Sequence, residues 1–141
     1  MVKIETTYRG GLRCDTTHTR SGNSFTTDAP VDNRGQGASF SPTDLVATGL
    51  GTCIATIMGI KAQDLGVDDQ LEGMRVDVEK HMASNPRRIA RIETTVTVPA
   101  ALDADMRNTL ERAAEGCPVH HSLHPDVEVP ITFHWAEEAP A

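Results

Sequence analysis

Residues 45–60 hold the longest apolar run in the chain. Its apolar members, Leu45, Val46, Ala47, Leu50, Cys53, Ile54, Ile57, Met58 and Ile60, cover most of a helical circumference rather than one stripe. Ser41-Pro42-Thr43-Asp44 supplies a start: Ser41 as N-cap, Pro42 at the first helical position and Asp44 placed to return a capping contact. The pattern predicts a helix to about Leu65-Gly66, and a helix apolar nearly all round is expected to be central. Upstream, Lys3 to Asp28 carries short Thr-rich runs punctuated at Gly10-Gly11 and Ser21-Gly22-Asn23, which predict two or three antiparallel strands. Ala29 to Ser39, with Pro30, Asp32, Asn33, Gly35 and Gly37, predicts a long loop. Downstream, Met74, Val76 and Val78 alternate with charged residues. Ala90, Ile92, Thr94, Val96 and Val98 alternate with Arg91, Glu93 and Thr95, giving two paired strands with Ser84-Asn85-Pro86 at the turn. A second helix is predicted from about Asp103 to Gly116, and a last strand with one buried face along Val127, Val129, Ile131, Phe133 and Trp135. Strands and helices in separate blocks define an α+β class.

The 141 residues, 38 % hydrophobic, suit a single domain over 1–141 that leaves much of its surface exposed. The apolar run, interrupted by Thr48, Gly49, Gly51 and Thr52, is too short and too mixed to span a bilayer, and Met1-Val2-Lys3-Ile4-Glu5 offers no apolar leader. A cytoplasmic location is therefore expected, where three cysteines stay reduced as reactive or buried thiols. A net charge of −7 argues against nucleic acid and anionic membrane as partners and leaves a small neutral or apolar substrate.

Candidate chemistry sits on sulfur. Cys117 precedes Pro118, which can open a short helix through Leu123 with Cys117 as its cap, a setting that stabilises a thiolate. Cys53 lies too deep in its helix for that effect, so its thiolate needs a cation from elsewhere; otherwise it is a small core residue. Cys14, in a predicted strand, reads as structural. Cys117, His120, His121 and His124 offer a rival, a zinc-type site, although His120 and His121 project about 100° apart on a helix. A Cys/His acyl-transfer enzyme is a third reading, without a local signature to support it.

Phe40-Ser41-Pro42-Thr43-Asp44-Leu45-Val46-Ala47-Thr48-Gly49-Leu50-Gly51-Thr52-Cys53, followed 64 residues after Cys53 by Gly116-Cys117-Pro118-Val119, resembles the OsmC/Ohr superfamily of thiol-dependent peroxidases. The resemblance implies an OsmC-like fold of antiparallel sheets around a central buried cysteine-bearing helix, in an interlocked homodimer with active sites at its interface. It implies reduction of organic hydroperoxides to alcohols, as an antioxidant activity in the oxidative stress response. Cys53 would be peroxidatic, Cys117 resolving and a lipoyl-type or other dithiol the reductant, with no metal, flavin or haem. Leu50, Ile54, Ile57 and Phe40 would line an apolar pocket around Cys53. The family's Glu directly after the helix-opening proline is Thr43 here, with Asp44 one step later. The arginine expected to activate Cys53 is Arg34 by its place in the loop, with Arg13 and Arg9 of the first hairpin as alternatives. The replacement at Thr43 keeps a second outcome open: the same fold acting as a binding or thiol-sensing protein with weak turnover or none.

Overall fold

The computed structural model of the chain describes residues 1–137. The chain divides into two compact units, Met1–Val46 and the residues from Ala47 onward. In the first, β1 (Ile4–Gly10), β2 (Arg13–His18) and β3 (Ser24–Asp28) form an antiparallel meander in the order β1-β2-β3. Gly10 and Gly11, at φ of 90° and 63°, adopt the left-handed backbone that the β1–β2 turn requires. Threonine suits these strands because its branched side chain packs on a pleated surface. Thr6 and Thr16, paired across β1 and β2, also join their hydroxyls at 3.0 Å. The segment after β3 contains one 3-10 turn, Val31–Asn33, and otherwise stays irregular as expected. Its tightest point is Gly35, where a Cβ would fall 1.7 Å from the Ala29 carbonyl oxygen.

Helix α1 runs Pro42–Leu65. It opens on the predicted capping box: the Asp44 amide donates to Ser41 Oγ at 3.2 Å, and the Ser41 amide donates to Asp44 Oδ2 at 2.9 Å. Beyond Ala47, its side chains Leu50, Ile54, Met58 and Ala62 are fully buried. With Ile92, Val96, Val98, Leu102, Leu110, Ala114 and Cys117 they build the core of the second unit. Gly51 lets the strand that carries Val76 and Val78 approach α1 closely, since a Cβ there would stand 3.3 Å from Val78 Cγ1. The expectation of a helix covered on all sides is met only in part: Val46 remains 38 % and Ile60 51 % exposed. One chain of this length has too few elements to cover the whole circumference.

Strands β4 (Arg75–Ala83) and β5 (Arg88–Val98) form the predicted hairpin, turning through a cis Asn85-Pro86 bond. Helix α2 (Ala104–Glu115) follows, N-capped by Asp103, which accepts the Met106 amide at 2.8 Å. After it come α3 (Pro118–Ser122) and β6 (Ile131–Trp135). The sheet order is β4-β5-β6, with β6 parallel to β5. An all-antiparallel arrangement is thus corrected for this sheet, because the chain returns through α2 and α3 and re-enters in the same direction as β5. The last strand is also shorter than the alternation of Val127 and Val129 implies. Pro130 has no amide to give to a ladder, yet the approach still follows β5, with Ile92 donating to the Glu128 carbonyl at 2.8 Å.

Candidate functional site

Two thiols, 64 residues apart in sequence, meet in the second unit. Cys53 is half-buried on α1, packed against the core. Cys117 reaches it because α2 stops at Gly116, whose amide donates to the carbonyls of Arg112 and Ala113, and because Pro118 opens a new helix at once. Between them Cys117 is extended, with φ −63° and ψ 137°, and acts as the N-cap of α3. Its Sγ accepts the His120 amide at 3.3 Å. The Cys117 side chain is wholly buried and lies close enough to the Cys53 thiol to feel its charge, and both cysteines are free. Burial pushes the Cys117 thiol above its ordinary value, and the Cys53 sulfur raises it further against the pull of the His120 and Val119 amides. Cys117 is thus a neutral thiol at neutral pH, held beside a more accessible one. Such a pair can exchange two electrons by closing one S–S bond.

Leu50 and Ile54, expected to line a pocket around Cys53, point instead into the core with no exposed surface, while Phe40 is half exposed. Helical geometry sets a different surrounding. Val46, Cys53 and Ile60 recur every seven residues and so share one face of α1. Cys53 lies mid-way along an exposed apolar stripe.

The remaining candidates lie in the first unit. Asp28 is 2 % exposed, and its Oδ2 accepts the Ala38 amide at 3.0 Å. Arg13 Nη2 stands 3.7 Å from that carboxylate and donates to Gln36 Oε1 at 3.2 Å. The Ala38 amide is the main reason the Asp28 carboxyl is held below its usual range; burial opposes it and the Arg13 charge adds to it. Arg9 pairs with Asp15 at 3.5 Å and lines, with Arg13, Thr26, Thr27, Asp28 and Ser39, a polar pocket of about 310 Å³. Arg34 lies outside this group: it is exposed, caps the Val31–Asn33 turn and holds a left-handed φ of 70°. Asp44 is engaged in the capping box, and Thr43 Oγ1 lies 3.3 Å from Ser41 Oγ. The sequence reading missed Asp28. Its only signal was an acid closing a Thr-rich run before a loop, a pattern shared by many solvated aspartates.

The rival metal reading is corrected. Among the described residues, the donor atoms of Cys117, His120, His121 and His124 do not gather within 4.8 Å of one another. Cys117 Sγ takes the His120 amide rather than its ring. The His120 and His121 rings lie stacked with centroids 6.3 Å apart, and His124 Nδ1 accepts the Asp126 amide at 3.0 Å. His120 Nδ1 is buried without a hydrogen-bond partner. Cys14 stands on β2 opposite Tyr8 and Thr27.

A family model described as OsmC-like protein matches residues 35–132. No curated protein matches the chain. Among solved structures, a protein from Psychrobacter arcticus assigned to the osmotic stress and detoxification response is 42 % identical, with a TM-score of 0.90 over 95 % of this chain and 96 % of that one. An organic hydroperoxide resistance protein OsmC from Legionella pneumophila, 15 % identical, aligns with a TM-score of 0.76 over 95 % and 96 % of the two chains. An organic hydroperoxide resistance protein from Elizabethkingia anophelis, also 15 % identical, gives 0.75 over 96 % of each. These last two speak for the fold, two small sheets with helices in an α+β arrangement. Family model, shared fold and the more similar Psychrobacter chain agree, and the protein belongs to the OsmC-like family.

Proposed function

We propose that the protein is a dithiol-dependent peroxidase that reduces organic hydroperoxides to alcohols in a reducing compartment. The observation that carries this reading is the contact between the half-buried Cys53 thiol and the buried Cys117 thiol. In the first step the Cys53 thiolate attacks the distal peroxide oxygen. An S–O bond forms, the O–O bond breaks, and the alkoxide takes a proton and leaves as alcohol. Cys53 is then a sulfenic acid. Cys117 gives up its proton and attacks that sulfur, forming the Cys53–Cys117 disulfide and releasing water. A dithiol of the lipoyl type reduces the disulfide by exchange and is itself oxidised. The family relatives named for organic hydroperoxide resistance support the substrate class.

The reading includes a homodimer. The exposed stripe of Val46, Cys53 and Ile60 supports it, because a second chain laid on that face would surround Cys53 with apolar side chains and favour alkyl peroxides over hydrogen peroxide. It also includes an arginine that stabilises the Cys53 thiolate and orients the peroxide. Arg34, Arg13 and Arg9 are the candidates; Asp28 anchors Arg13, and Arg9 pairs with Asp15. Replacing each by alanine and timing Cys53 alkylation at neutral pH identifies the activating residue as the one whose loss slows the reaction.

The deciding experiment treats reduced protein with one equivalent of cumene hydroperoxide, followed by intact mass and a non-reducing peptide map. Loss of two hydrogens with a Cys53–Cys117 crosslink, and steady turnover with a dithiol that disappears in Cys53→Ser, is the expected result. The Asp44 carboxylate, engaged in the capping box where the family's catalytic Glu would act one position earlier, favours a second reading as a thiol sensor. That reading predicts one round of oxidation and no sustained turnover. Thiols left unmodified would overturn both.

A further inference from the structure

The β4–β5 ladder sets Glu79 directly opposite Glu93. Like charges in that relation weaken a sheet. Two residues along β4 and on the same face, His81 brings Nε2 to 3.2 Å from Glu79 Oε1 and 3.6 Å from Glu93 Oε2. One donor atom from each of the three side chains lies within 4.8 Å of the other two. Without an ion these contacts are His–carboxylate ion pairs, one at the long end of the hydrogen-bond range and one looser. The same spacings also suit the separation of about 3.3 Å between neighbouring ligands on a tetrahedral ion with bonds of about 2.0–2.1 Å.

We propose that Glu79, His81 and Glu93 form a binding site for a divalent transition-metal ion of the zinc class, which neutralises the opposed carboxylates and clamps β4 to β5. An imidazole beside two carboxylates selects such an ion over magnesium or calcium. Three protein ligands leave a fourth position for water. All three side chains are exposed, so an ion reaches them without local unfolding, and paired strands hold them more rigidly than loops would. The competing cation on this face is Arg91, whose Nη2 lies 3.4 Å from Glu93 Oε1. Asp77, also on this face, is held by Arg75 at 2.8 Å. None of the three ligands takes part in the thiol chemistry, so this site and the peroxidase reading stand or fall separately.

Calorimetric titration of the reduced, full-length protein with zinc chloride should give one ion per chain. His81→Ala and Glu93→Gln should each weaken binding at least tenfold, and Arg91→Ala should tighten it by freeing Glu93. Thermal unfolding of each variant without metal checks that the fold is kept. Because thiols also take zinc, the same protein is titrated with cobalt(II). Visible absorption without the near-ultraviolet thiolate charge-transfer band places the ion on nitrogen and oxygen. A thiolate band, unchanged affinity in both ligand variants, or no heat at millimolar zinc would each overturn the assignment.

Discussion

Cys117 keeps its proton because its sulfur is enclosed and faces a second thiol, and two backbone amides only partly offset this. Disulfide formation after Cys53 oxidation should therefore accelerate with pH and not level off at about pH 8.5, where an ordinary thiol is half ionised. Quenched-flow trapping of the sulfenic acid across a pH series measures it; a plateau below that pH would mean that Cys117 is not the group being deprotonated. Asp28 has the opposite sign. Its folded-state pKa is depressed, chiefly by the Ala38 amide, so its stabilisation is fully present above about pH 3.9 and is lost as pH falls through the folded value. Asp28→Asn should lower the unfolding midpoint at neutral pH and flatten its decline in acid. The cap position of Cys117 was legible in the sequence, but its burial beside Cys53 and the partners of Asp28 were not. The sulfur contact spans 64 positions, and the carboxylate's partners come from a loop with no repeating pattern.

At the scale of elements, what local chemistry controls was legible. Ser41 with Asp44 opens α1, Asp103 caps α2, Cys117 caps α3 and Gly116 separates the last two, each through groups within four residues of one another. Ser41→Ala removes one member of the capping box and should cost about 1 kcal/mol by urea unfolding. Leu50→Ala, at a fully buried position of the same helix, should cost roughly 3 kcal/mol because the core closes only partly over the void. If the cap variant proved the costlier, α1 would owe more to its start than to its packing. The direction of β6 was hidden for a physical reason: alternation records which face of a strand is buried, not which way the chain runs through the sheet.

For the whole molecule, the distribution of burial is the informative quantity. In Met1–Val46 the buried residues are Thr16, Thr27, Asp28 and Ser41, all polar, while Ile4, Tyr8, Leu12, Phe25 and Phe40 are exposed. A three-stranded sheet needs an apolar face covered to be stable. With Val46 and Ile60 open on α1, the protein should run in solution at twice its 15.2 kDa chain mass. Ile60→Glu, which sets a charge on the stripe, should shift it toward monomer in light scattering and depress peroxide turnover with it. A wild-type monomer would instead confine the active site to one chain. The composition pointed to a shortage of covering elements, but which side chains would stay outside depended on how the core was filled.

The cap on α3 has a consequence for detecting the oxidation state. A helix of five residues has little internal cooperativity, and this one begins on a sulfur that the peroxide cycle would consume. Once bonded to Cys53, that sulfur is a poorer acceptor with a new orientation, and the His120 amide loses its partner. Amide exchange at His120 should then quicken on oxidation and slow again on reduction. The segment would report the redox state of the thiols as local melting, readable without any chemical label.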